Sequence, residues 1–257
     1  KFVPAISQEY FAELVKNSDA SQLPLAENES VEEFLTFITP VIFDENLYAT
    51  RRSGEDDIIK NSATNFYKGD ISKEEVEKFY DAQRDPKDAT PISYGLNSQL
   101  VKENGKIYEN VYKSGGLYGE AIDQIIYWLE KANAVAENDA QRNYTNLLID
   151  YYKTGDLNTW DEYNIAWVQD SVSMIDYVNG FIEDYGDPMG MKATWEAVVN
   201  FKDLEATKRS SIISQNAQWF EDNSPVDERF KKKECKGVTA KVIIVTTLAG
   251  DCFPAPP

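Results

Sequence analysis

The chain has 257 residues, 42% hydrophobic and 12% aromatic, a globular composition with enough apolar mass for one large domain or two small ones. Its formal net charge of −18 argues against nucleic acid and anionic membrane as partners, because both require a positive footprint. It contains no histidine, the usual general base and commonest metal ligand near neutral pH, so zinc hydrolysis by this chain alone is not expected.

The acidity reads first as a solubility device, and second as a surface that attracts cationic ligands. Two cysteines, Cys235 and Cys252, do not make a disulfide framework and read as reduced thiols. No run approaches the roughly 20 apolar residues of a membrane helix, and no signal-peptide pattern is visible. Together these readings point to the cytoplasm, although the chain opens on Lys1 rather than Met.

In chain order, Ser7 can cap a helix with Tyr10, Phe11, Leu14 and Val15 on one side, and Ser30 opens a second that ends at Pro40. The loop after Leu47 carries Arg51 and Arg52 beside Glu55, Asp56 and Asp57, a pattern expected to pair locally. Ser72 with Glu75 is a capping box, stapled by Ile71 and Val76, for a helix that runs to about Gln83. Asn104-Gly105 between Ser98–Glu103 and Lys106–Lys113 predicts a hairpin, with Ile107, Glu109 and Val111 on one face. Gly115 to Gly119 reads as a plain turn rather than a phosphate cradle, since the Lys-Ser/Thr of a P-loop is missing.

Two helices then follow. One carries Ile122, Ile125, Ile126, Leu129 and Ala132; the other carries Tyr144, Leu147, Leu148 and Tyr151 and ends at Gly155. They are expected to pack as an antiparallel pair on a sheet. Tyr163–Val168 and Met174–Ile182 read as strands, and a helix is expected from Lys192 through Trp195, Val198 and Val199. A further helical run contains Ile212, Ile213, Asn216 and Phe220. Val238–Leu248 is β-branched and reads as a buried strand. The fold class is α+β.

One stretch carries a more specific signal. Trp167-Val168-Gln169-Asp170, Gly180-Phe181-Ile182-Glu183, Tyr185, Asp187-Pro188 and Gly190 form a long, nearly gapless pattern that resembles dipeptidyl peptidase III, a zinc-dependent exopeptidase family. The family's zinc motif, HExxGH, is absent from this sequence. The resemblance implies an internal portion of such an enzyme, covering well under half of the family's length and inactive alone. It implies a partial β-barrel of antiparallel strands surrounded by helices. Residues 1–196 would belong to the barrel lobe, 197–230 would cross as helices to the zinc lobe, and 231–257 would return as a strand.

The resemblance also implies a cofactor and partners. Zinc would belong to the parent enzyme and not to this chain, peptides would be the substrates, and the remaining part of the same polypeptide would complete the structure. No catalytic residue is assigned here. Asp176 is expected to hold the substrate's free α-ammonium, as a glutamate does in the family, with Tyr177 the nearby tyrosine. A carboxylate suits that task through a charge-assisted hydrogen bond. Tyr177 alternates to the opposite strand face from Asp176. The reading from another class is a non-catalytic acidic scaffold of the same fold that binds peptides or proteins. Acidic pairs such as Glu183-Asp184 are expected by chance in so acidic a chain, and the five tryptophans read as core rather than sugar platforms.

Overall fold

The computed structural model describes residues 2–54, 57–235 and 241–250. Two compact units emerge, each built from separated stretches of chain. The first comprises residues 1–91, 98–110 and 184–192. It opens with α1 (Gln8–Lys16), where the Ser7 side chain accepts from the Tyr10 amide. The second helix, α2 (Val31–Phe43), begins at a complete Ser30/Glu33 capping box. It does not stop at Pro40 as expected: proline sits inside its last stretch, and the Asp44 amide still closes on the Pro40 carbonyl. Phe11 and Phe43 join α1 to α2 edge to face at 5.7 Å.

A short strand, β1 (Tyr67–Lys68), pairs in parallel with β2 (Ser98–Glu103), which neighbours β3 (Lys106–Val111). Asn104 and Gly105 join β2 to β3 with φ of 50° and 76°, the two left-handed residues that a tight hairpin of the expected kind requires. Between β1 and β2 lies α3 (Lys73–Asp81), capped reciprocally by Ser72 and Glu75, with both staple residues Ile71 and Val76 buried. The same Glu75 holds Lys102 of β2 at 2.7 Å.

The second unit comprises residues 92–97, 111–183 and 193–257. Three helices lead: α4 (Gly119–Ala134), α5 (Asp139–Thr154) and α6 (Leu157–Gln169). Asn138 caps α5, and Gly155 ends it with φ of 74°. The α6 helix occupies the stretch expected to be a strand. Asp156 accepts from the Asn158 and Thr159 amides, and Trp160, Tyr163 and Trp167 repeat at helical spacing toward the core. That cap and spacing override the local β-like composition of Tyr163–Val168.

The strands of this unit are β4 (Ile175–Glu183), β5 (Thr194–Lys202) and, after helices α7 (Leu204–Gln215) and α8 (Ala217–Asp222), β6 (Ile243–Gly250). They form an antiparallel sheet in the order β4-β5-β6. The helix expected from Lys192 is thus β5. The spacing of Trp195, Val198 and Val199 fits both periods in so short a run, and pairing on both sides decides for strand. The buried strand expected at Val238–Leu248 is instead an edge strand. Only β5 pairs with it among the described residues, and Ile243, Ile244 and Val245 are each 45% exposed. Val238 to Ala240 lie outside the described residues, as does Cys252; Cys235 is half-buried.

The core of this unit is aromatic: Tyr112, Tyr144, Tyr151, Tyr152, Trp160, Tyr163 and Phe181 are buried with Ile122, Ile126, Leu129 and Leu148. Trp167 and Trp195 pack against it, whereas Trp128 and Trp219 are exposed. Gly180 lies under the indole of Trp160, where a β-carbon would collide with Cη2. The architecture is mixed α+β, with two three-stranded sheets and eight α-helices among the described residues. Both sheets are open, so the expected barrel is not formed by these strands.

Candidate functional site

β4 carries both residues singled out for substrate binding, and its start is held on each side. Glu137, in the α4–α5 connection, accepts from the Met174 and Ile175 amides at 2.8 and 2.7 Å. Gln141 of α5 donates to the Ile175 carbonyl at 2.9 Å. These bonds set which way the next side chains face.

Asp176 is half-buried and accepts from Trp167 Nε1 at 2.7 Å through Oδ1. Its other carboxylate oxygen has no hydrogen-bond partner among the described residues. Directly across the strand pair stands Asn200, 8% exposed, whose side-chain oxygen is buried without a donor among the described residues. Asp176 and Asn200 line one small pocket with Asp170, Ser173, Lys202 and Lys241. The two lysines are spent on backbone: Lys202 donates to the Ser171 and Val172 carbonyls, and Lys241 to the Asp170 carbonyl. Burial pushes the Asp170 carboxyl up, but hydrogen bonds from Ser173 and Val172, with the charge of Lys241, hold it below its ordinary value.

Tyr177 faces the other way. Its hydroxyl shares a hydrogen bond with Thr145 of α5, and its ring meets Tyr144 edge to face at 5.7 Å. Burial pushes its phenol pKa up, against hydrogen bonds that pull it down. On that face Ile175, Tyr177 and Asn179 border an apolar cavity of about 540 Å³, walled further by Trp128, Leu129 and Trp195. The structure therefore separates Asp176 and Tyr177 across the sheet, in accordance with strand alternation.

A third feature of β4 was not singled out as a site. Glu183, at the end opposite Asp176, is exposed, and its carboxylate makes no hydrogen bond among the described residues. It follows a register shift between Phe181 and Glu183, where the pairing with β5 becomes irregular. Position in sequence gives no hint of that bulge.

The first unit holds a buried polar network that the sequence did not announce. Lys192 is 0% exposed, and its ammonium donates to Tyr80 Oη at 2.7 Å, Ser98 O at 3.0 Å and Ser98 Oγ at 3.1 Å. Tyr80 and Ser98 in turn donate to Glu109 Oε1 at 2.9 and 2.6 Å. Buried Asp187 accepts from Tyr67 Oη and from the Met191 and Lys192 amides, at 3.0, 2.9 and 2.9 Å. Burial pulls the Lys192 pKa down to about 8, with Glu109 and Asp187 pulling it partly back up. Burial, with the charge of Glu109, pushes the Tyr80 phenol up. Tyr80 and Ser98 are each 1% exposed, which seals the Ser-Tyr-Lys cluster from substrate and marks it as structural.

Among the described residues no group of three or more Asp, Glu, Cys or His is placed to hold a metal ion, so these side chains do not fit a catalytic zinc site. No helix among them is long and apolar enough to cross a membrane.

Comparison with known proteins gives a consistent result. Residues 44–255 match the model of Peptidase family M49. Dipeptidyl peptidase 3 of Dictyostelium discoideum is 25% identical over 215 residues, covering 76% of this chain and 30% of that protein. The solved structure of DPP III from Caldithrix abyssi superposes with a TM-score of 0.59 at 20% identity, over 95% of this chain and 44% of that one. DPP III from Corallococcus sp. strain EGB superposes with a TM-score of 0.54 at 18% identity, over 95% and 43%. The chain spans 30% of the length of that curated relative and 43–44% of the two solved structures. On the strength of the family match, this chain belongs to peptidase family M49.

Proposed function

We propose that this chain is part of a zinc-dependent peptidase that releases dipeptides from the N-termini of peptides. In this reading it supplies a carboxylate that holds the substrate's α-ammonium, while the metal and the hydrolytic residues belong to the remaining part of the polypeptide. The observation that carries the reading is the pairing of Asp176 with Asn200. Asp176 and Asn200, each with one side-chain oxygen without a donor among the described residues, line the same small pocket from adjacent strands. An ammonium brings several N–H donors, and a donor placed between these oxygens would satisfy both. Trp167 fixes the carboxylate from the far side. Tyr177 contributes by seating β4 on α5 and does not reach the ammonium.

The same reading assigns residues 1–196 to a barrel lobe, with the helices up to residue 230 crossing to a second lobe and residues 231–257 returning. The open edge of β6, with its exposed Ile243, Ile244 and Val245, supports completion of the sheet by further strands. A cytoplasmic location goes with this reading.

The test uses the full-length protein and a dipeptidyl substrate with a free amine, compared with its N-acetylated counterpart. Asp176→Ala should raise KM for the free amine by about tenfold, the value of one charge-assisted hydrogen bond, with zinc content unchanged. Glu183→Gln, measured in parallel, removes the other β4 carboxylate. If Glu183→Gln raises KM and Asp176→Ala does not, the anchor lies at Glu183 and the Asp176 assignment fails.

A further inference from the structure

Six arginines occur in this acidic chain, and four of them are neutralised locally. Arg84, Arg142, Arg209 and Arg229 pair with Asp81, Asp139, Glu205 and Asp227 at 3.0, 3.0, 3.5 and 3.0 Å. Arg51 and Arg52 pair with no carboxylate among the described residues. Their expected partners were the acids that follow them. Of these, Asp57 is committed to the Ile59 and Lys60 amides and to the Lys60 ammonium, and Glu55 and Asp56 lie outside the described residues.

Both arginines turn to one distant segment. The Arg51 guanidinium lies over the Tyr185 ring at 5.4 Å and against Gly186, where a β-carbon would stand 2.7 Å from Nη2. Arg52 Nη1 donates to the Tyr185 carbonyl at 3.4 Å. Stacking and a single long hydrogen bond orient two planar cations while leaving most of their N–H donors unspent among the described residues. Tyr185 is 50% exposed, and both arginines are exposed, so the pair is open to a ligand.

We propose that Arg51 and Arg52, aligned on the Tyr185–Gly186 segment, form a subsite for a carboxylate of a bound peptide. The assignment rests on the peptide-processing reading above and adds a substrate class to it: peptides with an acidic side chain or a free C-terminal carboxylate. Arginine rather than lysine suits the task, because a guanidinium meets a carboxylate with two parallel N–H donors. The setting also calls for such a device. A protein of net charge −18 repels anionic peptides at long range, and two arginines without an ion-pair partner among the described residues supply local positive charge that acts within about a Debye length. Gly186 admits this geometry because any larger residue would push the Arg51 guanidinium away from the Tyr185 ring.

The test is calorimetric binding to the full-length protein of three matched peptides: one acidic, one with Asp and Glu replaced by Asn and Gln, and one amidated at its C-terminus. Removing the carboxylate that the subsite holds should weaken binding about tenfold, and which peptide weakens tells side chain from terminus. Arg51→Gln with Arg52→Gln should abolish the difference, and Arg51→Lys with Arg52→Lys should keep part of it. Equal affinity for all three peptides, a difference that persists in the glutamine variant, or no binding of any peptide would overturn the proposal. Dipeptide release is measured on the same peptides. Release without carboxylate dependence rejects the subsite and leaves the peptidase reading standing; carboxylate-dependent binding without release keeps the subsite and rejects the peptidase.

Discussion

Around Lys192 the protein interior is organised by donors and acceptors; around Trp160 and Tyr152 it is organised by ring shape. In the first unit an ammonium, two hydroxyls and the Asp187 carboxylate are buried together beside the half-buried Glu109, and each hydrogen bond has one direction that works. In the second, tyrosine and tryptophan rings meet at 4.9 to 6.2 Å with varied tilts, and polar contacts are few: Tyr152 Oη donates to Asn179 and accepts from Trp195. A directional network fails when one partner is lost, since each group left behind is a buried, unsatisfied polar atom. A ring-packed core fails through volume, and the cost scales with the space made or taken.

The comparison can be broken most sharply at Asp187. Asp187→Ala removes an acceptor from Tyr67 and from the 191 and 192 amides, along with a negative charge near Lys192. Urea unfolding should show a loss of about 3 kcal/mol or more. A loss under about 1 kcal/mol would mean that water replaces the carboxylate, and the directional account would not hold.

The next effect is in pH. With the folded-state pKa of Lys192 at about 8, below its ordinary value of 10.5, the buried ammonium costs stability that is fully felt below pH 8. Above pH 8 the folded state releases its proton before the unfolded chain does. Stability from this group should therefore rise between pH 8 and 10.5, by about 3 kcal/mol in all. Lys192→Met should flatten that rise while leaving the rest of the pH profile in place. A wild-type curve that falls across this window in step with the Met variant would show that Glu109 and Asp187 compensate the ammonium in full.

The smallest effect concerns shape in the second unit. Gly180→Ala places a methyl against the Trp160 indole and should cost about 1–3 kcal/mol by overpacking. Adding Trp160→Leu should restore part of the loss, which a purely backbone effect would not allow. Thermal melts of the two variants decide between the two causes.

How far the site was legible follows the same division. The Ser72 capping box, the Asn104-Gly105 hairpin and the Gly155 stop were readable because each is written in a few adjacent residues whose side chains, or lack of one, act on their own backbone. The opposite faces of Asp176 and Tyr177 were readable for the same reason, since alternation is a property of any strand. What surrounds them was not. Trp167 reaches Asp176 only because its stretch is a helix, and Asn200 faces Asp176 only because residues 194–202 are a strand. The Asp156 cap and core packing settled the first stretch as helix, and pairing on both sides settled the second, whose apolar spacing fits either period, as strand.

The sequence by itself therefore determined the local punctuation, the α+β class and the family pattern running from Trp167 to Gly190. Only the tertiary structure decided that Lys192 would be buried on Tyr80 and Ser98, that β6 would stand at an edge, and that Arg51 and Arg52 would turn to Tyr185. Those outcomes join residues that lie up to 134 positions apart. Burial and pairing energies act on whatever the chain brings together, and no local pattern encodes which distant partner arrives.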